Sequence, residues 1–355
     1  MTKFFSFFKK SIIIIFIIIF LLELVSFILL KFDHTELFAI RNYTEKTNDK
    51  RIFTLKKSYS VNELDHIYKG ETFLIITSNE RLRISKKDNK ISNYINSNNI
   101  ENKFLFLGDS VPFGYGVDAE DSIPFYFKKY NKDLTVLNGA IPSYSLAQSI
   151  ERYEKEFQSI KNIKYIYLQI YSPAPEYALL GIDWDVNDNW ANFSEQVLRP
   201  YHLVNINIPI YGDSFFLDFL RKKIVRIAHK KKKTGSMETK VFNKDSEEKF
   251  VNHINSNLNK LHSLIKNKET QLILASTNVP EFSKDSRTES LENAINLLNK
   301  TFYNFSLKNE KVHYFDMGSE LNVDSENMFI DFCCHLSGNG ASLMALELTK
   351  LMKNE

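Results

Sequence analysis

Ser110, Asp331 and His335 have the types that nucleophilic catalysis needs, and the serine lies far from the other two in the sequence. Ser110 follows Gly108 and Asp109 directly after the apolar run 104–107, and His335 comes four residues after Asp331. A serine hydroxyl attacks a carbonyl when an imidazole takes its proton and a carboxylate orients that imidazole. We therefore interpret Ser110 as a nucleophile, His335 as its base and Asp331 as the orienting acid. The alternative is a strand that ends in an ordinary turn, because Gly, Asp and Ser are common turn residues.

The position of His335 distinguishes it from the other seven histidines. It stands on a predicted loop just before a terminal helix, for which Ser337 is the expected N-cap. Loops held by a rigid scaffold commonly carry catalytic side chains. The others fall before the main domain, in a long insertion, on a helix or within a strand: His34, His66, His202, His229, His253, His262 and His313.

Alternation of short apolar runs with longer amphipathic stretches predicts the scaffold. The runs predict strands at Phe104–Leu107, Leu134–Leu137, Tyr165–Ile170, Gln271–Ala275 and Val312–Phe315. The stretches predict helices near 122–130, 145–160, 246–267, 286–307 and 338–352. Strands alternating with helices indicate βαβ units, hence an α/β fold with a parallel sheet and helices on both faces. Ser110 would then lie at the carboxyl end of a buried strand, where such sheets bind ligands.

The first 32 residues read as a membrane anchor. Residues 12–30 are almost all apolar, with Glu23 as the single charged interruption. This run is long enough to cross a bilayer as a helix, and no cleavage site follows Leu30. Lys3, Lys9 and Lys10 precede the apolar run, and positive charge tends to stay cytoplasmic. We expect a single-pass signal anchor over 1–32, with the catalytic domain outside the cytoplasm, in the periplasm or at the cell surface. We expect a linker with one strand, Thr72–Thr77, over 33–102, and the main domain over 103–355 with an insertion at about 172–245.

The composition leaves few other partner classes. The net charge of +3 over 355 residues does not call for nucleic acid. The two cysteines, Cys333 and Cys334, are adjacent, which disfavours a disulfide and supplies too few ligands for a metal. The basic stretch 221–233 is either a solvated helix end or a patch for anionic lipid or acidic polysaccharide.

Three blocks of the sequence resemble those of SGNH (GDSL-type) hydrolases. The stretch 108–117 resembles the first block, and 136–145 with Gln148 is similar to the second. Asp331 and His335 before a final helix resemble the last block, and the order along the chain is that of the family. The segment 76–83 also looks like the strand that precedes the first block in membrane-anchored or secreted relatives.

This resemblance implies a flavodoxin-like three-layer α/β/α sandwich and a site that needs no metal or cofactor. It implies attack by Ser110 on an ester carbonyl, with backbone N–H groups at Ser110, Gly139 and Ser143 as the oxyanion hole. Three features depart from the family pattern. Ser143 replaces a glycine, the stretch 170–176 lacks the usual oxyanion Asn, and Asp331 and His335 are four rather than three apart. Ser172, Asn187 and Asn189 are the candidates to replace that Asn.

The leading hypothesis is a membrane-anchored serine esterase or O-acyltransferase that acts through an acyl-serine intermediate. Its expected partner is an acylated carbohydrate, acetylated and at the cell surface, or another small ester. Two alternatives remain at this point. One is a non-catalytic scaffold or binding protein that kept the fold, and the other is a lipase that acts on membrane lipids.

Overall fold

A computed structural model describes most of the chain. The described residues are 2–32, 43–47, 49–51, 53–64, 72–88, 95, 102–170, 216, 244–266, 268–277, 289–321, 326–331 and 334–353. The strands are β1 Thr44–Lys46, β2 Phe53–Leu55, β3 Ser60–Leu64, β4 Thr72–Thr77, β5 Arg83–Ile84, β6 Lys103–Gly108, β7 Thr135–Asn138, β8 Ile163–Gln169, β9 Gln271–Ala275 and β10 Val312–Phe315. The helices are α1 Thr2–Phe32, α2 Ser110–Phe113, α3 Ile123–Tyr130, α4 Leu146–Arg152, α5 Lys244–Ile265, α6 Glu289–Ser306, α7 Met317–Glu320 and α8 Gly338–Lys353.

Each of the five strands and five helices predicted for the main domain is present, with ends shifted by a few residues. The long helix predicted near 145–160 is divided, because α4 passes into a π-helical turn over Tyr153–Phe157. Ser337 caps α8 as expected, since its hydroxyl oxygen accepts the Gly340 N–H at 3.3 Å.

One eight-stranded sheet organises the domain, in the order β10-β9-β8-β6-β7-β5-β4-β3. Strands β6 to β10 are mutually parallel, and in chain order they lie as 2-1-3-4-5, the flavodoxin-like arrangement. Strand β6 therefore stands at the position where the strand order reverses. Ligands bind at this position in open α/β sheets, and Ser110 follows β6 directly.

Side chains of β6 alternate between two cores, as the pleat of a strand requires. Leu105 and Leu107 pack on the face covered by α4, α5 and α6. Phe104 and Phe106 pack on the opposite face, which α3 and α8 cover. The sheet thus lies between two helical layers, which gives the predicted three-layer α/β/α arrangement.

The predicted parallel sheet is confirmed for β6 to β10, but the sheet as a whole is mixed. Strands β3, β4 and β5 extend it beyond β7 in antiparallel pairing, with Arg83 opposite Asn138. All three strands come from the segment 33–102, which we expected to be a linker with a single strand. The predicted strand Thr72–Thr77 is present as β4. The other two were missed, because β3 is partly polar and β5 has only two residues.

The N-terminal segment is helical over Thr2–Phe32, as predicted. Among the residues that the structure describes, no helix combines the length and the apolar character that crossing a bilayer requires. The Glu23 carboxylate accepts a hydrogen bond from the Phe216 N–H at 3.3 Å.

Candidate active site

The nucleophile turn begins where β6 ends. Gly108 has φ +127°, and a Cβ there would lie 1.8 Å from the carbonyl oxygen of Gln169 on β8, so only glycine fits this turn. Asp109 then caps α2, with its carboxylate accepting the Val111 N–H at 3.3 Å. Ser110 is thereby the first residue of a four-residue helix, and it is 7% exposed.

A tight loop before α8 holds the base. Phe329 and Leu336 form an antiparallel bridge, and the Ile330 N–H donates to the His335 carbonyl at 2.9 Å. Within the loop, one oxygen of Asp331 accepts the backbone N–H groups of Cys334 at 2.9 Å and His335 at 3.1 Å. These two hydrogen bonds hold the backbone of Cys334 and His335 next to the Asp331 carboxylate, and the four-residue spacing of acid and base is accommodated in this way.

The structure brings Ser110, His335 and Asp331 together in one hydrogen-bonded chain. The distance from His335 Nε2 to Ser110 Oγ is 2.9 Å across 225 positions of sequence. His335 Nδ1 pairs with the second carboxylate oxygen of Asp331. With Nδ1–H donating to the carboxylate, Nε2 is left unprotonated toward the serine hydroxyl.

The pKa of Asp331 fits the orienting role. Burial of this carboxyl would raise its pKa, but the adjacent His335 imidazole and the hydrogen bonds from His335 and Cys334 outweigh burial and hold the pKa below its usual value. Asp331 is therefore ionised at neutral pH, and its carboxylate stabilises an imidazolium at His335.

Ser143 adopts a conformation that suits the glycine it replaces. Its φ is +71°, in the left-handed region that non-glycine residues rarely enter. The chain is fixed on both sides of it, because the Ile141 N–H donates to the Gly108 carbonyl at 3.0 Å and Ser145 caps α4. The buried Ser143 hydroxyl has no hydrogen-bond partner within the described part of the chain. A strained residue with an unpaired buried hydroxyl beside the nucleophile turn is a candidate functional position.

The prediction of an oxyanion donor at Gly139 is wrong. Its N–H is already used, since it donates to the Phe106 carbonyl at 2.9 Å and so continues the pairing of β6 and β7. Glycine is needed there for packing instead, because a Cβ would lie 2.8 Å from the ring of Phe157. Ser172, Asn187, Asn189, most of the insertion and the basic stretch 221–233 lie outside the described residues.

Sequence reasoning missed two side chains that support the site. The Tyr115 ring lies 5.1 Å from the His335 ring, centroid to centroid. Arg152 is fully buried, and its Nη1 donates to the Gly139 carbonyl at 2.7 Å. This hydrogen bond holds the first residue after β7 in place. A charged residue on the core face of a helix was the available signal for Arg152, but its partners could not be read from the sequence.

Comparison with known proteins gives only distant likenesses. No family model matches the chain, and no curated protein matches it. Among solved structures it is similar to a protein described as lipolytic, of the G-D-S-L family, from Desulfitobacterium hafniense, with 13% identity, a TM-score of 0.43 and coverage of 70% of this chain and 98% of that one. A lipolytic G-D-S-L family member from Veillonella parvula is 12% identical, with a TM-score of 0.42 and coverage of 71% of this chain and 99% of that one. A GDSL-like lipase from Bacteroides thetaiotaomicron is 10% identical, with a TM-score of 0.40 and coverage of 72% of this chain and 89% of that one. At such identities and TM-scores below 0.5, these likenesses do not assign an activity.

Proposed function

We propose that this protein is a serine ester hydrolase of the SGNH type. The single observation that carries the proposal is the chain of hydrogen bonds from Ser110 through His335 to Asp331, with 2.9 Å between the hydroxyl oxygen and Nε2. This distance lies within the range over which a general base takes a proton from a nucleophile.

The reaction follows from the positions of these groups. His335 Nε2 takes the Ser110 proton as Oγ attacks the ester carbonyl, and the imidazolium then protonates the leaving alcohol. An acyl-serine remains, which a water activated by the same imidazole hydrolyses. We propose the backbone N–H groups of Ser110 and Ser143 as donors to the oxyanion, and one such donor contributes on the order of 3 kcal/mol.

We propose a short acyl group, and the recessed position of the site supports this choice. Ser110 is 7% exposed and His335 is 2% exposed, so the ester carbonyl must reach a nearly covered nucleophile. We propose an acetyl ester, carried by a carbohydrate at the cell surface, as the substrate class. The extracytoplasmic location and the membrane anchor belong to this proposal, and they rest on the lysines and apolar residues at the start of the sequence.

Substitution of the nucleophile tests the proposal directly. Ser110→Ala should abolish cleavage of p-nitrophenyl acetate and labelling by a fluorophosphonate probe. Wild-type labelling, mapped by peptide mass spectrometry, should fall on Ser110. Ser149→Ala is the matched control, since Ser149 is a buried serine that bonds within α4. Unchanged hydrolysis in Ser110→Ala, or no labelling of the wild type, would instead favour the non-catalytic scaffold.

Chain-length and acceptor series test the finer claims. We expect turnover to fall steeply from acetate to octanoate esters, and a preference for long chains would favour the lipase. Hydrolysis and transfer share the acyl-serine, so they differ only in what attacks it. Adding a sugar acceptor and measuring the fraction of acetyl transferred separates an O-acyltransferase from an esterase.

A further inference from the structure

Arg83 is a buried cation that the proposed reaction does not use. It lies on β5, is 3% exposed, and forms no ion pair with a carboxylate among the residues that the structure describes. Burial lowers the pKa of its guanidinium to about 10, so it is still charged at neutral pH. A buried charge without a paired carboxylate requires other polar partners, and backbone carbonyl oxygens supply them to Nη1 and Nη2. The buried Nε has no hydrogen-bond partner among the described residues.

The partners of Arg83 are concentrated on one short turn. Nη1 donates to the Phe113 carbonyl at 2.7 Å and to the Gly114 carbonyl. Nη2 donates to the Val117 carbonyl at 2.5 Å and, more weakly, to the Leu74 carbonyl at 3.4 Å. The guanidinium also lies 4.5 Å from the centroid of the Phe113 ring. Three of the four carbonyls thus belong to residues 113–117, which we call the clamp turn.

The clamp turn connects the nucleophile to the base. Tyr115 makes both contacts. Its N–H donates to the Ser110 carbonyl at 2.9 Å, and its ring packs on His335. Helix α2 has only four residues, and Gly114 ends it with φ +80°, so the helix cannot fix this geometry by itself. A displacement of the clamp turn would therefore move Ser110 and the ring that packs on its base together.

The same turn is tied to the loop after β7. The Phe113 carbonyl, held by Arg83, also accepts Nδ2–H of Asn138 at 3.2 Å. The Asn138 side-chain oxygen in turn accepts the Ala140 N–H at 3.2 Å. One carbonyl oxygen is thus shared by the arginine and by Asn138, the last residue of β7, after which the loop that carries Ser143 begins.

We propose that Arg83 is a positioning residue that sets the Ser110–His335 geometry by holding the clamp turn. It touches neither the substrate nor the reacting atoms. Its planar fork reaches separate carbonyls at once, whereas a lysine ammonium is a single point on a flexible stem. The inference rests on the proposed function for its kinetic test.

The kinetic test compares Arg83→Lys and Arg83→Met with two control variants. One control reports the effect of lost stability, and the other reports the effect of replacing an arginine. We expect kcat and the rate of fluorophosphonate labelling to fall about 10- to 100-fold in both, with KM changed less, because a small misplacement of reacting groups costs this much. Ile84→Val is the stability control, since Ile84 is the next residue on β5 and packs in a core. Arg81→Lys is the chemical control, since Arg81 donates to the Leu55 carbonyl and to Glu45 instead.

Two further measurements separate positioning from stability. In Arg83→Ala, low concentrations of methylguanidinium should restore labelling, whereas methylammonium and urea should not. In Arg83→Lys, the NMR shifts of the His335 ring nitrogens should differ from wild type, while those of Ile84→Val should not. The NMR comparison needs no turnover, so it tests the inference even if the wild type hydrolyses no ester.

The outcomes distinguish the two proposals. A wild type that is neither labelled nor active overturns the proposed function alone. Arg83 variants whose kcat follows their thermal stability along the same line as Ile84→Val, with unchanged His335 shifts, overturn the positioning role alone.

Discussion

At the scale of single residues, the carboxylate of Asp331 is predicted to control the orientation of the base. Asp331→Asn replaces an acceptor with an amide that presents N–H groups to His335 Nδ1, which favours the wrong tautomer. We expect kcat for p-nitrophenyl acetate to fall about 100- to 10,000-fold, with the fold retained by circular dichroism. Asp88→Asn is the control, since Asp88 pairs with Lys128 of α3 instead of a histidine. A loss of less than threefold in Asp331→Asn would remove this carboxylate from the mechanism.

Asp331 is also predicted to make the stability of the folded protein depend on pH. The pKa of Asp331 is lower in the folded protein than its usual value of about 3.9, so ionisation of this group stabilises the fold above that pH. The contribution is lost as the pH falls through the folded-state pKa. The difference in unfolding free energy between wild type and Asp331→Asn should therefore narrow as the pH falls below about 4. Urea titrations at several pH values measure it.

Ser143 is predicted to reduce the stability of the protein. Its φ of +71° and its unpaired buried hydroxyl are both unfavourable. Ser143→Gly should therefore raise the unfolding free energy by about 1–2 kcal/mol and keep kcat within a few-fold, because the N–H remains. Ser143→Ala removes the hydroxyl but keeps the strained backbone, so its gain should be smaller. Denaturant unfolding measures the stability of both variants. A Ser143→Gly protein less stable than Ser143→Ala would contradict this account.

At the scale of elements, the clamp turn must pass close to the loop that carries the base. Gly116 has φ +86°, and a Cβ there would lie 2.2 Å from Cδ1 of Ile330, whose N–H bonds the His335 carbonyl. Gly116→Ala should therefore displace His335 and lower kcat about 10- to 100-fold. Adding Ile330→Ala removes the clashing methyl group, so the double variant should regain part of the loss. The coupling energy from the four-variant cycle should be well above about 0.5 kcal/mol, the limit for independent sites.

The sequence predicted those elements whose pattern follows from burial on both faces. The unbroken apolar residues of β6 and the amphipathic period of α5 and α6 leave little alternative. It could not predict β5, because two residues carry no period, or that Arg83 in that strand binds carbonyls some thirty positions away. Gly139 failed as an oxyanion donor for a related reason. Whether an N–H is already used by a neighbouring strand is a property of the register, which a single sequence does not display.

At the scale of the whole molecule, the N-terminal strands are predicted to be part of the folding unit. Five side chains from the first strands and their flanks pack with the aromatic cluster around Phe113 and Tyr115: Tyr43, Phe53, Leu55, Phe73 and Ile75. Losing about 2 kcal/mol of burial for each removes about 10 kcal/mol, comparable with the total stability of a domain. A chain that starts at residue 43 should fold and hydrolyse esters. One that starts at residue 86 should fail to unfold cooperatively and should not label at Ser110.

The separation of β8 from α5 has a consequence for how this protein can diversify. Strand β8 ends at Gln169 and α5 begins at Lys244, while both pack in the same core. The entropy of closing a loop grows only with the logarithm of its length, so doubling that length costs about 0.6 kcal/mol. We therefore expect the length and sequence of this connection to vary between related proteins, while Ser110, His335 and Asp331 are retained.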